Sequence, residues 1–144
     1  MPFSFYCTTP IEKIPEILEN SKSVHTVSRL KEVEKIDLLY KNHEIFVQIN
    51  IDNDPKKSGI NPNDVQKFFE KFENYSFFPN GIMCIPDINS DPRESFKNMN
   101  DINQKLLDNY KQYSGELSMG MSADYKIALD YGATIIRVGS KIFK

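Results

Sequence analysis

An α/β fold on a parallel sheet is predicted by three observations. Short apolar runs recur at residues 23–27, 44–51, 81–85, 117–119 and 134–138, and stretches with helical periodicity lie between them. The run at 134–138, TIIRV, is β-branched almost throughout, as befits a strand buried on both faces of a parallel sheet. No internal repeat, low-complexity segment or linker interrupts this alternation, so the 144 residues read as one domain spanning 1–144. Five strands are too few for a closed (β/α)8 barrel, which takes eight strands and about 250 residues.

Each element has its own signature. Residues 4–7 are too short to assign and are compatible with the remnant of a strand. Thr9-Pro10 opens a weak helix bearing Ile11, Ile14, Ile17 and Leu18, with Pro15 expected to kink it after the first turn. After the strand at 23–27, Ser28 is the expected cap of a helix with Leu30, Val33, Ile36, Leu39 and Tyr40 inward, ending near Asn42. EIFVQINI at 44–51 is the clearest buried strand of this half, and a polar loop at 52–59 carries Lys57. Asn61-Pro62 reads as an N-cap with proline in the first turn. Val65, Phe68, Phe69 and Phe72 then form one apolar stripe. GIMCI at 81–85 is a strand closed by Pro86, and Asp91-Pro92 starts a helix with Phe96, Met99, Ile102, Leu106 and Tyr110 inward.

Composition narrows the functional classes. A formal charge of −2 supplies no basic field and argues against a nucleic-acid partner. No apolar run reaches the roughly 18–20 residues that span a bilayer, and MPFSFYCTTP lacks the features of a signal peptide. A cytoplasmic location is therefore expected, with Cys7 and Cys84 reduced and structural. His25 and His43 stand alone, without metal-ligand spacing.

The chemistry concentrates in residues 117–140, LSMGMSADYKIALDYGATIIRVGS. It reads as a strand, a turn at Gly120, a helix with Ser122 at its N-cap and Asp124 in its first turn, a C′ glycine at Gly132, and a second strand. Small polar residues at two strand exits can hold a phosphate on backbone N–H groups and hydroxyls. The string resembles the C-terminal signature of the pyridoxal-phosphate homeostasis proteins, one-domain relatives of the alanine racemase N-terminal barrel. Their LSMGMSxDxxxAIxxGATxVRxG(S/T)xIF run is met nearly residue for residue through Ile142-Phe143. Three further blocks agree: Gln48-Ile49-Asn50-Ile51 with Lys57-Ser58-Gly59-Ile60, the GIMCIP strand, and His25 and Val27 in the place of an HSV segment. Before residue 23 the agreement fades, since FSFYCTTPIEK keeps little of the family's HFIGxLQxNK.

The resemblance implies an incomplete (β/α)8 TIM-type barrel, roughly its last five strands with their helices, and pyridoxal 5'-phosphate as cofactor. Its phosphate is expected between the Ser118, Met119, Gly120 turn and Gly139-Ser140, with hydroxyl donors from Ser118 and Ser140. Ser122 either joins the phosphate site or serves only as N-cap. Arg137 either faces the pyridine nitrogen or forms a salt bridge across the barrel floor. Lys57 is a candidate for transient aldehyde contact or a solvated surface lysine, and Met83 and Met119 are expected to line the interior. The family's Schiff-base lysine lies on a first strand that has no counterpart here. The implied function is non-catalytic cofactor carriage in vitamin B6 balance. A racemase-like enzyme fragment, a degenerate remnant, and an interaction subunit are the competing readings. Sheet edges expected at 23–27 and 134–138 suggest pairing in a homodimer or with a complementary N-terminal fragment.

Overall fold

The computed structural model describes residues 4–5 and 10–137. Six strands run in sequence order through one sheet, each parallel to its neighbour. They are β1 (Ser4–Phe5), β2 (Ser23–Val27), β3 (Glu44–Gln48), β4 (Gly81–Met83), β5 (Glu116–Met121) and β6 (Ile135–Arg137). Helices α1 (Ile14–Asn20), α2 (Leu30–Leu39), α3 (Val65–Glu70), α4 (Pro92–Asn109) and α5 (Tyr125–Asp130) make the crossovers. Crossovers of one hand between adjacent strands place every helix on the same face of the sheet.

That face holds the apolar core. Val24, Ile45, Val47, Ile82, Leu117 and Met119 pack there against Leu18, Val33, Ile36, Phe96, Met99, Leu106 and Ala128. The expected stripe forms: Val65, Phe68, Phe69 and Phe72 are all buried, within a cluster of edge-on and tilted ring contacts that reaches Tyr110 and Tyr113. Asn61 caps a 3-10 turn ahead of α3, and Asp91 caps α4 by accepting from the Arg93 N–H. Gly132, at φ 96°, closes α5 with the two bonds of a Schellman turn, Ala133 N–H to Ala128 O and Gly132 N–H to Leu129 O.

Several expectations need correction. Ser4–Phe5, within the short N-terminal run left unassigned, forms a strand: β1 pairs with β2, so residues 23–27 are an inner strand and the described residues hold six strands. Pro15 sits in the first turn of α1, where proline is tolerated, and the expected helix is divided just before it, with a separate 3-10 turn at Ile11–Lys13. Neither predicted serine caps a helix. Arg29 holds the N-cap of α2, where the Glu32 carboxylate accepts from the N–H groups of both Ser28 and Arg29. Helix α5 begins after Asp124, whose carboxylate accepts from the Met121 N–H, leaving Ser122 in the preceding turn. The strand expected at 117–119 runs on to Met121 and takes in Gly120. Strand β6 is half-buried, because β5 is its pairing partner among the described residues.

The opposite face is concave and differently furnished. Alternation along the strands puts His25, Phe46, Met83 and Ser118 there, each fully buried. Phe46 lies beside Gly81 in register, and its ring occupies the space a side chain at Gly81 would need. A Cβ at Gly81 would also collide with the Glu116 carbonyl of β5. Gly81→Ala should therefore destabilise the protein by about 1–3 kcal/mol through overpacking. Urea unfolding measures this, and an unchanged midpoint would contradict the fit.

Candidate functional site

The site is assembled by irregularities in two strands. Register slips between Val24 and Val27 of β2 and between Ser118 and Met121 of β5. Such bulges re-aim side chains, and here each lies beside a residue of the concave face. His25 and Ser118, 93 positions apart, meet with Nδ1 and Oγ at 2.8 Å. The His25 ring stacks on Phe46 at 4.0 Å between centroids, with planes 14° apart. Gly120, at φ 103°, takes a left-handed conformation inside the β5 bulge and lies against Ala128 of α5, where a Cβ would not fit.

Arg137 enters from β6. Its Nη1 donates to Ser118 Oγ at 3.4 Å and its Nη2 to the Cys84 carbonyl at 3.1 Å. These two contacts orient the guanidinium over the ends of β4 and β5. Burial, then the Arg137 charge, lowers the His25 pKa to about 3, and the imidazole is neutral at physiological pH. Burial pushes the Cys84 thiol up to about 12 despite the nearby arginine, which leaves it an unreactive core group.

Lys57 comes to the same end of the sheet. Its Nζ lies 3.0 Å from Asp52 Oδ2, 4.0 Å from Asp87 Oδ2 and 3.5 Å from the Ile85 carbonyl. Arg137 and Lys57 thus lean on successive carbonyls where the chain leaves β4. An open cleft of about 540 Å³ lies at the exits of β4 and β5, lined by Ile85, Pro86, Ile88, Met121, Ser122 and Asp124 among others. Its size is that of a small-molecule site.

The predicted residues fare differently. Arg137 and Lys57 come to the C-terminal end of the sheet, Ser118 lies within β5 where the Arg137 side chain reaches it, and Met83 lies on the concave face as expected. Met119 is packing as expected, but in the core beneath the helices and not on the concave face. What Met119 and Gly120 can present to a ligand is main chain. Gly139 and Ser140 lie outside the described residues. His25 was missed as a member of the group.

The alanine racemase N-terminal domain family matches residues 3–144. The chain belongs to that family. Its relatives include the pyridoxal phosphate homeostasis proteins of Vibrio cholerae, 34% identical over 142 residues, and of Aquifex aeolicus, 27% identical over 143 residues. These alignments take in 88% and 91% of this chain but 57% and 61% of the relatives. The chain therefore spans less than two thirds of their length. PipY of Synechococcus elongatus, solved with and without PLP, superposes with TM-scores of 0.89 and 0.90 at 23% identity. Those superpositions cover 100% of this chain and 71% of PipY. Alanine racemase of Clostridium difficile shares the fold at a TM-score of 0.70 and 17% identity, covering 96% of this chain and 38% of the racemase. The sequence resemblance to pyridoxal-phosphate homeostasis proteins thus holds at the level of family.

Burial of a neutral imidazole has a measurable consequence. Below the ordinary histidine pKa of 6.5 the unfolded chain takes up a proton that folded His25 refuses until about pH 3. Stability should then fall as pH drops through that window, by up to about 1.4 kcal/mol per unit from this group. Urea titrations from pH 7 to 4 should give a shallower decline for His25→Phe than for the parent chain. Parallel declines would show that His25 does not carry this linkage.

Proposed function

We propose that the chain binds pyridoxal 5'-phosphate on the concave face, at the C-terminal ends of β4, β5 and β6, and carries it without turnover. The observation that carries the reading is Arg137, a permanent cation that reaches the concave face and is oriented there by the Ser118 hydroxyl and the Cys84 carbonyl, suited to donate to a pyridine nitrogen. The fit extends to the rest of the group. The main chain around Gly120 suits the phosphate, to which the family motif also assigns Gly139 and Ser140. The Lys57 amine, held beside Asp52, suits transient contact with the aldehyde. The Ser118 hydroxyl, bonded to His25 and Arg137, serves the ring side of the site more directly than the phosphate. Bound there, the cofactor supplies an electrophilic aldehyde and a conjugated ring. An arginine opposite the ring nitrogen keeps that nitrogen unprotonated and weakens the ring as an electron sink, which favours carriage over racemase-like chemistry.

The half-exposed β6 supports a second element of the reading. The curled parallel sheet is part of a (β/α)8 barrel, and its edge is completed by strands of a complementary N-terminal segment or of a second copy. An exposed edge strand is a template for such pairing.

Titration with pyridoxal 5'-phosphate, followed by tyrosine fluorescence, should show weak saturable binding without the absorbance of a stable lysine adduct. Arg137→Ala should weaken it about tenfold or more, the loss of a hydrogen bond to a charged group. Ser140→Ala should weaken it several-fold. Borohydride reduction and peptide mapping should find Lys57 as the main modified lysine. Saturation indifferent to both substitutions would put the ligand elsewhere, and modification spread over other lysines would remove Lys57 from the site.

A further inference from the structure

We infer that His25 is a positioning residue, which through the Ser118 hydroxyl sets the orientation of the Arg137 guanidinium. The inference deepens the cofactor reading above and rests on it for its functional meaning. It begins from three side chains on three strands: His25 on β2, Ser118 on β5 and Arg137 on β6. They are joined in one line by contacts of 2.8 and 3.4 Å.

Proton bookkeeping gives that line a direction. A guanidinium only donates, so Ser118 Oγ accepts from Arg137. The serine's own hydrogen is then available for His25 Nδ1, which must be the bare nitrogen of the neutral ring, with the proton on Nε2. The other tautomer would aim two donors at Ser118 Oγ and turn its hydroxyl hydrogen away from both. His25 Nε2 is buried and makes no hydrogen bond among the described residues whichever nitrogen carries the proton. The two forms therefore differ at the Ser118 hydroxyl, which without an acceptor costs about 1–3 kcal/mol. A protonated imidazole would add a second cation beside Arg137, in a group with no exposed surface.

The ring itself is held. Phe46 stacks against it, and Phe46 keeps its place because Gly81 has no side chain. Val24 pairs in register with Ile45, so the next residues along the two strands, His25 and Phe46, lie side by side. The imidazole is thus a rigid acceptor, and a rigid acceptor fixes the serine rotor and with it the lone pair that meets Arg137. A histidine that merely filled the core would need neither a set tautomer nor a coupling to the arginine.

Two variants separate the roles. His25→Phe keeps a ring on Phe46 and removes the acceptor; His25→Asn keeps an acceptor close to the Nδ1 position. Nitrogen NMR of the ligand-free chain should show His25 as the Nε2–H tautomer from pH 5 to 8. The Arg137 guanidinium should rotate slowly in the parent chain and in His25→Asn, and rapidly in His25→Phe. Affinity for pyridoxal 5'-phosphate should fall about tenfold in His25→Phe, recover to within a few-fold in His25→Asn, and fall no further when Arg137→Ala is added to His25→Phe. An Nδ1–H tautomer, a mixture of tautomers, or an Arg137 signal indifferent to His25→Phe would overturn the inference. So would affinity losses for His25→Phe and Arg137→Ala that simply multiply. If the parent chain bound no pyridoxal 5'-phosphate, the cofactor reading would fail, and the tautomer and the Arg137 signal would still decide whether His25 orients the arginine.

Discussion

One hydrogen bond constrains the shape of this protein. His25 on β2 and Ser118 on β5 are separated by two intervening strands. In a flat sheet they would lie about 14 Å apart, at three strand spacings of about 4.8 Å. Side chains of histidine and serine cannot bridge that gap, so the sheet must curl until its first and later strands face one another. The curl makes a concave interior out of an open sheet. It also explains why small residues and bulges fall where they do. Gly81 makes room for the Phe46 ring, Phe46 braces His25, and the slips in β2 and β5 lie beside the two partners.

The two faces of the sheet divide the labour of stability and function. Beneath the helices, the aliphatic strand residues and the phenylalanine cluster around Phe69 and Phe72 bury apolar surface, the dominant favourable contribution to folding. The concave face buries a histidine and a serine, groups that cost free energy unless their hydrogen bonds are made. The polar face is intelligible as a site kept in order ahead of a ligand, with Arg137 and Lys57 anchored to the exit of β4.

Local features were legible in the sequence because local physics decides them. The stripe from Val65 to Phe72, the proline-led turns after Asn61 and Asp91, and the closing glycine at 132 all form as their patterns dictate. The caps at Ser28 and Ser122 were misplaced because the helices start later, after Arg29 and Asp124. Glu32 accepts from the Arg29 N–H at the start of α2, and Asp124 turns back to the Met121 N–H of β5. Strand β1 was too short for periodicity to register and is defined by its pairing with β2. His25 escaped notice because its partner is 93 residues away, and an isolated histidine in an apolar strand looks like any buried one. A signal did exist: Ser118 and Arg137 are polar residues in otherwise apolar strands, and two polar residues in such strands invite a search for a third.

The central claim is that the concave face, at the C-terminal ends of β4, β5 and β6, is a preformed cofactor site. Amide chemical-shift mapping during addition of pyridoxal 5'-phosphate tests it most directly. The account predicts shifts concentrated at Cys84, Ser118, Gly120 and Arg137, with the opposite end of the sheet near Leu18 and His43 unchanged. Shifts confined to that opposite end, or a spectrum that does not respond at saturating ligand, would contradict it.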